Sequence, residues 1–106
     1  MSAPFDVLYS DSAREDLIRL FDFLLDRAKT AEDFESAQVA IDVIRDTVER
    51  SLSRGPFVYR KAGDSSFLRE LVIPFGGAGY VALYEIKDAT RVVVLAVRHQ
   101  LEDDYH

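Results

Sequence analysis

The chain has 106 residues, 48% of them hydrophobic, with 13 basic and 19 acidic side chains and no cysteine. That length supports one ordinary core and not two, so a single domain over residues 1–106 is expected, and without cysteine there is no disulfide, thiolate zinc site or cysteine nucleophile. A net charge of −6 argues against a general nucleic-acid binder, and the longest apolar run, Val92 to Val97, falls far short of the roughly 20 residues that cross a bilayer.

Met1 to Ser10 lacks the basic start and apolar stretch of a signal peptide, so a cytoplasmic protein with no membrane partner is expected. Phe5 to Tyr9 alternates roughly apolar and polar and reads as a short strand, followed by Ser10-Asp11-Ser12, three good helix-capping residues. Ala13, Leu17, Leu20, Phe21, Leu24 and Ala28 then recur at spacings of three and four, the stripe of an amphipathic helix. A second stripe runs through Phe34, Ala37, Ile41, Ile44, Val48 and Leu52, with Thr30 and Asp33 offering a capping signal before it and Arg54-Gly55-Pro56 ending it.

After a loop at Lys61 to Ser66, β-branched and aromatic residues take over. Phe67 to Phe75, Tyr80 to Ile86 and Arg91 to Arg98 are strand-length segments, and the short links Gly76 to Gly79 and Lys87 to Thr90 favour an antiparallel meander. The last segment is apolar on both faces, Val92, Val94 and Ala96 against Val93, Leu95 and Val97, which predicts a central strand. The order gives an α+β, two-layer domain: an N-terminal strand and a helical hairpin packed on an antiparallel β-sheet. One sheet face then stays open, and the partly apolar strand from Tyr80 to Ile86 makes it a candidate binding surface.

Charge is split along the chain. Residues 1–50 hold 6 basic and 12 acidic side chains, whereas 51–101 hold 7 basic and 4 acidic ones, so the C-terminal part is mildly basic. Gly76 to Gly79 lies between strands and not before a helix, so it reads as a hairpin turn rather than a phosphate cradle. His99 and His106 have no metal-ligand spacing, and neither a metal nor a cofactor is expected.

Taken in order, Leu68-Arg69-Glu70-Leu71-Val72-Ile73, then Gly79 to Ile86 with its Tyr84-Glu85-Ile86, then Val92 to Val97 running into Arg98-His99-Gln100 and closing at Asp103-Asp104-Tyr105, resemble the RelE/ParE toxin superfamily. The opening Tyr9-Ser10 with Ala13, Asp16 and Leu17 resembles it too, so the likeness covers nearly the whole chain. It implies a helical hairpin on an antiparallel sheet and the toxin of a type II toxin–antitoxin pair of the plasmid-stabilisation kind, neutralised by a cognate antitoxin.

Two toxic activities go with the resemblance. RelE-like members cut messenger RNA on the ribosome with lysines and arginines of the middle strands, where this chain places Glu70, Val72 and Val81. Arg69, Arg98, His99 and Tyr105 are the residues that could serve such a site, with a cross-strand ion pair to Glu85 as the structural alternative for Arg69. ParE-like members bind DNA gyrase and need no catalytic set, and the sequence fits that branch better. A third reading is a member without toxicity that only pairs with an antitoxin. No direct sequence-specific nucleic-acid binding is expected. The isoelectric point near 4.8 departs from the basic habit of these toxins and favours an apolar interface, for which Phe21, Phe57, Tyr80 and Tyr84 are the candidate contacts.

Overall fold

The computed structural model describes residues 4–76 and 78–101. Strand β1 (Asp6–Tyr9) leads into helix α1 (Asp11–Arg27) and helix α2 (Ala31–Arg54), a 3₁₀ turn follows at Pro56–Val58, and strands β2 (Arg60–Lys61), β3 (Leu68–Phe75), β4 (Ala78–Ile86) and β5 (Arg91–His99) complete the order. The helices start where side chains can answer their free N–H groups. Ser10 Oγ accepts from Ala13 N at 3.0 Å, while Thr30 and Asp33 form a reciprocal capping box. Gly55 and Pro56 stop α2 as the sequence predicts.

The five strands form one sheet in the order β1-β5-β4-β3-β2. β2 to β5 pair antiparallel in the expected meander, but β1 lies parallel to β5, Val7 beside Val92 and Tyr9 beside Val94, so the sheet is mixed rather than purely antiparallel. The helical hairpin is the reason: it carries the chain across to the far side of the sheet, where β3 runs in the β1 direction, and the two antiparallel steps through β4 bring β5 back beside β1 in that same direction. The two-residue β2, paired with β3 through Arg60 and Glu70, is not among the strands that the sequence predicts, and its Lys61 falls where the loop to Ser66 is expected to begin. Such short edge pairings leave no periodic signal.

Both helices cover the same sheet face. Leu20, Ile44, Val48 and Leu52 pack on Leu71 and Ile73 of β3, on Tyr80, Ala82, Tyr84 and Ile86 of β4, and on Val92, Val94 and Val97 of β5. The β5 set breaks simple alternation. Tyr84 pairs with Val94 and Leu83 with Ala96, so Leu95 is an extra residue, a β-bulge that turns Val97 and His99 inward and Ala96 and Arg98 outward. The expected face of Val92, Val94 and Ala96 is corrected accordingly.

Helix α1 satisfies the backbone that this bulge disrupts. Ser10 Oγ donates to Leu95 O at 3.2 Å, and the buried carboxylate of Asp16 accepts from Val97 N at 2.8 Å. Arg19 Nη2 reaches Val97 O at 3.5 Å and lies 3.9 Å from Asp16 Oδ1. β5 is central, as its apolar character predicts, and α1 is keyed to it by polar groups at one defined place.

Candidate functional site

Three surfaces are open to chemistry or binding: the uncovered sheet face, the end of the sheet around His99, and the cleft between the two helices. The sheet face turned away from the helices carries Glu70, Val72 and Val81, the residues that the resemblance sets against the cations of RelE-like members. Glu70 pairs in register with Leu83, Val72 with Val81, and Val81 with Arg98. Glu70 is taken up by Arg60 at 3.0 Å, Val72 is 36% exposed and Val81 is buried. Arg91, at the start of β5, is held by Asp88 at 2.8 Å, a contact that with the Thr90 backbone lowers the Asp88 carboxyl to about 2. Arg98 directs Nη1 to the carbonyls of His99 and Gln100 at 3.3 and 3.4 Å, fixing the chain as it leaves β5.

His99 faces the other way. Its ring meets Tyr80 edge-on at 5.5 Å, and Nδ1 accepts from Leu101 N at 3.1 Å, which leaves the opposite ring nitrogen to carry the proton of a neutral imidazole. Across from it α1 presents Arg19, Phe23 and Arg27, enclosing a cleft of about 500 Å³, with the Arg27 guanidinium 4.4 Å above the Phe23 ring. Arg98 and His99 are thus both half-buried and on opposite faces, because neighbouring strand residues alternate.

Arg69 belongs to a third place. It stands opposite Tyr84, and His99 opposite Tyr80, so the two are separated by four residues of β4, roughly 13 Å along the strand. The expected ion pair with Glu85 is replaced. Glu85 bonds Lys87 at 2.8 Å, and Arg69 donates to the carbonyls of Phe57, Tyr59 and Ser66 at 2.7–2.8 Å. Arg69 therefore ties the 3₁₀ turn to β3. It also supports an exposed aromatic pair, Phe57 and Phe67, whose rings lie 6.3 Å apart. Tyr105, the remaining catalytic candidate, and Asp103 and Asp104 beside it lie outside the described residues. Arg69, Arg98 and His99 do not converge on one site.

Of the expected partner contacts, Tyr84 is 0% exposed and Tyr80 4%, so both belong to the core and are corrected out of the candidate surface. Large aromatic rings on the helix-facing side of a central strand are the natural filling of a two-layer domain. Tyr84 also donates its hydroxyl to Pro56 O at 2.5 Å, and burial pushes its pKa up to about 12 against the opposing charge of Arg69. Phe57 is about half-exposed and Phe21 half-buried, and both remain at the surface.

Phe21 lies in the third surface. Between α1 and α2, beside the edge strand β1, Leu17, Ile18, Phe21 and Ile41 line a cleft of about 380 Å³ with Tyr9 and Arg45. The Tyr9 hydroxyl is shut off from solvent and has no hydrogen-bond partner among the described residues. Burial first, and the charge of Glu49 second, push its pKa up to about 12 against the pull of Arg45. Sequence reasoning placed Tyr9 at the end of a strand and gave it no role, since nothing local shows that its hydroxyl points into the hairpin.

Comparison with known proteins gives the context for these surfaces. The family model described as the ParE toxin of the type II toxin–antitoxin system, parDE, matches residues 7–104. A curated relative, Toxin RelE3 of Caulobacter vibrioides, is 40% identical over 91 residues, covering 85% of this chain and 88% of the relative. Two solved structures share the fold. A chain of the chromosomal ParDE toxin–antitoxin system from P. aeruginosa superposes with a TM-score of 0.71 at 15% identity, covering 90% of this chain and 95% of that one. A chain of the RelBE2 toxin–antitoxin complex from Mycobacterium tuberculosis gives 0.62 at 22%, covering 96% and 98%.

Proposed function

Since the chain belongs to the ParE toxin family of type II toxin–antitoxin systems, we propose that it arrests growth by binding DNA gyrase, not by cutting RNA, and that a cognate antitoxin neutralises it. The observation that carries this reading is the chemistry of the uncovered sheet face. Phosphoryl transfer from RNA without a metal needs a proton-transfer group and cations placed where charge builds up in the transition state. Here Glu70, Val72 and Val81 stand at those positions, and Glu70 already engages Arg60. Removing one such donor costs about 10²–10³ in rate, so a face without several of them has little left to catalyse with.

A binding toxin has a different requirement, namely exposed apolar groups on a rigid frame. Ile18 and Phe23 on α1 and Phe57, Val58 and Phe67 on the β2–β3 side supply them. The same groups support an antitoxin contact that is largely apolar and persists at raised salt, in keeping with an acidic toxin.

Expression of the chain alone in cells, followed by transcript mapping and a search for DNA breaks, tests the reading. The expected result is growth arrest with gyrase-dependent breaks and intact transcripts. Ribosome-frame cuts abolished by Arg98→Ala would assign the RNA-cleaving activity instead, and unimpaired growth would remove toxicity altogether.

A further inference from the structure

We infer that the corner where the 3₁₀ turn meets β2 and β3 is the surface by which the chain meets gyrase, and that it covers there an apolar protein surface bearing carboxylates; this rests on the gyrase reading proposed above. Phe57, Val58 and Phe67 stand exposed at this corner, Val58 at 77%. Charge separates this apolar patch from the one on α1. Around Ile18 and Phe23, α1 places Glu15, Asp22 and Asp26 against Arg19, with Arg27 over the Phe23 ring. Residues 54–70 instead hold four cations, Arg54, Arg60, Lys61 and Arg69, against Asp64 and Glu70. The turn beside Phe67 adds no net charge, since Lys87 pairs with Glu85 and Arg91 with Asp88.

Two of the four cations stand in register. Lys61 is directly opposite Arg69 on neighbouring antiparallel strands, which puts both on one sheet face, and like charges so placed repel. Arg69 directs its donors to three carbonyls, which fix its position without cancelling its charge, and Lys61 makes no ion pair among the described residues. The free protein carries this repulsion, and a carboxylate set beside the pair relieves it only in a complex. The Arg69 guanidinium also lies 5.5 Å from the centre of the Phe57 ring, so charge and apolar anchor belong to one patch.

The patch has the anatomy of a protein contact, an apolar centre with a charged rim. Phe57 and Phe67 meet edge to face at 72°, and Val58 has no ring, so the corner offers no run of open ring faces on which successive bases could stack. On a chain of net charge −6, it also lets an acidic target approach with less repulsion than α1 does.

Binding of purified gyrase, free of DNA, to wild type, Phe57→Ser, Lys61→Glu and Arg27→Glu tests the inference, with thermal unfolding of each toxin alone and a parallel titration with DNA. Arg27 ends α1 whereas Arg54 ends α2, so in an antiparallel hairpin Arg27 lies at the opposite end and controls for reversed charge. Phe57→Ser is expected to weaken gyrase binding about tenfold. Lys61→Glu is expected to weaken it about tenfold and yet to keep or raise the unfolding midpoint, because it sets a carboxylate opposite Arg69. Arg27→Glu is expected to stay within about twofold.

Wild-type binding with both corner variants within twofold would overturn the inference while leaving the gyrase reading intact. A lower unfolding midpoint for Lys61→Glu would show that Lys61 serves the fold, and equal weakening by Arg27→Glu would reduce the effect to net charge; either would overturn it. DNA binding lost in Lys61→Glu would make the corner a nucleic-acid surface instead. If the wild type binds no gyrase, the reading itself fails and the inference falls with it.

Discussion

Strand β3 carries two chemistries on alternate residues. Leu71 and Ile73 point at the helices and are buried, whereas Glu70 and Val72 point away, one ion-paired and the other partly exposed. The inner side is a completed core in which even the Tyr84 hydroxyl has its acceptor. The outer side is neither a finished core nor a set of reactive groups. Its apolar and ion-paired residues leave little that could act on a phosphate, while the helical hairpin on the other side of the sheet holds a cleft with a hydroxyl that still lacks its acceptor. The contrast is one of packing: the inner side is closed by the helices, and the exposed apolar groups lie on α1 and on the β2–β3 side.

Substitutions on the two sides should therefore differ by several kcal/mol. Ile73→Ala, in the centre of the inner face, is expected to cost about 2–5 kcal/mol in urea unfolding, combining lost burial with the cavity left behind. A cost below about 1 kcal/mol would mean that the two layers collapse together, and would break the contrast. Asp16→Ala comes next, at about 1.5–3 kcal/mol, because it leaves Val97 N buried without the carboxylate that answers the β5 bulge. Slowed amide exchange at Val97 in the wild type, lost in the variant, would locate the effect.

Tyr84→Phe is expected to cost about 1–2 kcal/mol by leaving Pro56 O unanswered. The same phenol gives a pH signature. Its folded pKa of about 12 lies above the ordinary 10.0, so the fold favours the protonated form. That stabilisation is complete below the unfolded value and is lost as pH rises from there through about 12. Urea unfolding at pH 8 and pH 11 should thus show wild type losing more stability than Tyr84→Phe; equal losses would assign the alkaline sensitivity to Tyr9, whose pKa is also raised to about 12.

The smallest effect belongs to the outer face. Val72→Lys is expected to change stability by no more than about 0.5 kcal/mol, since the site is partly exposed and makes no special contact. Returning a cation to that face is also expected to leave transcripts intact, because the neighbouring carboxylate, Glu70, is already engaged by Arg60. Cleavage by the variant, seen in transcript mapping, would show that the face lacks only a charge.

Much of this organisation is local and was open to reading from the chain. Spacings of three and four along α1 and α2, the Ser10 and Thr30 caps, the Gly55-Pro56 stop and the three long strands each follow from interactions within a few residues, and the order and spacing of Tyr9-Ser10, Tyr84-Glu85-Ile86 and Arg98-His99 carried the likeness to the toxin family. What tertiary structure decided depends on groups far apart in sequence. The bulge at Leu95, answered by Ser10, Asp16 and Arg19, inverts the last residues of β5 and sends Arg98 and His99 to opposite faces. The parallel pairing of β1, the capture of Arg69 by three loop carbonyls and the enclosure of the Tyr9 hydroxyl between two helices arise the same way. Periodicity fixes which residues share a face only while the register is regular, and the site depends on where one extra residue breaks it.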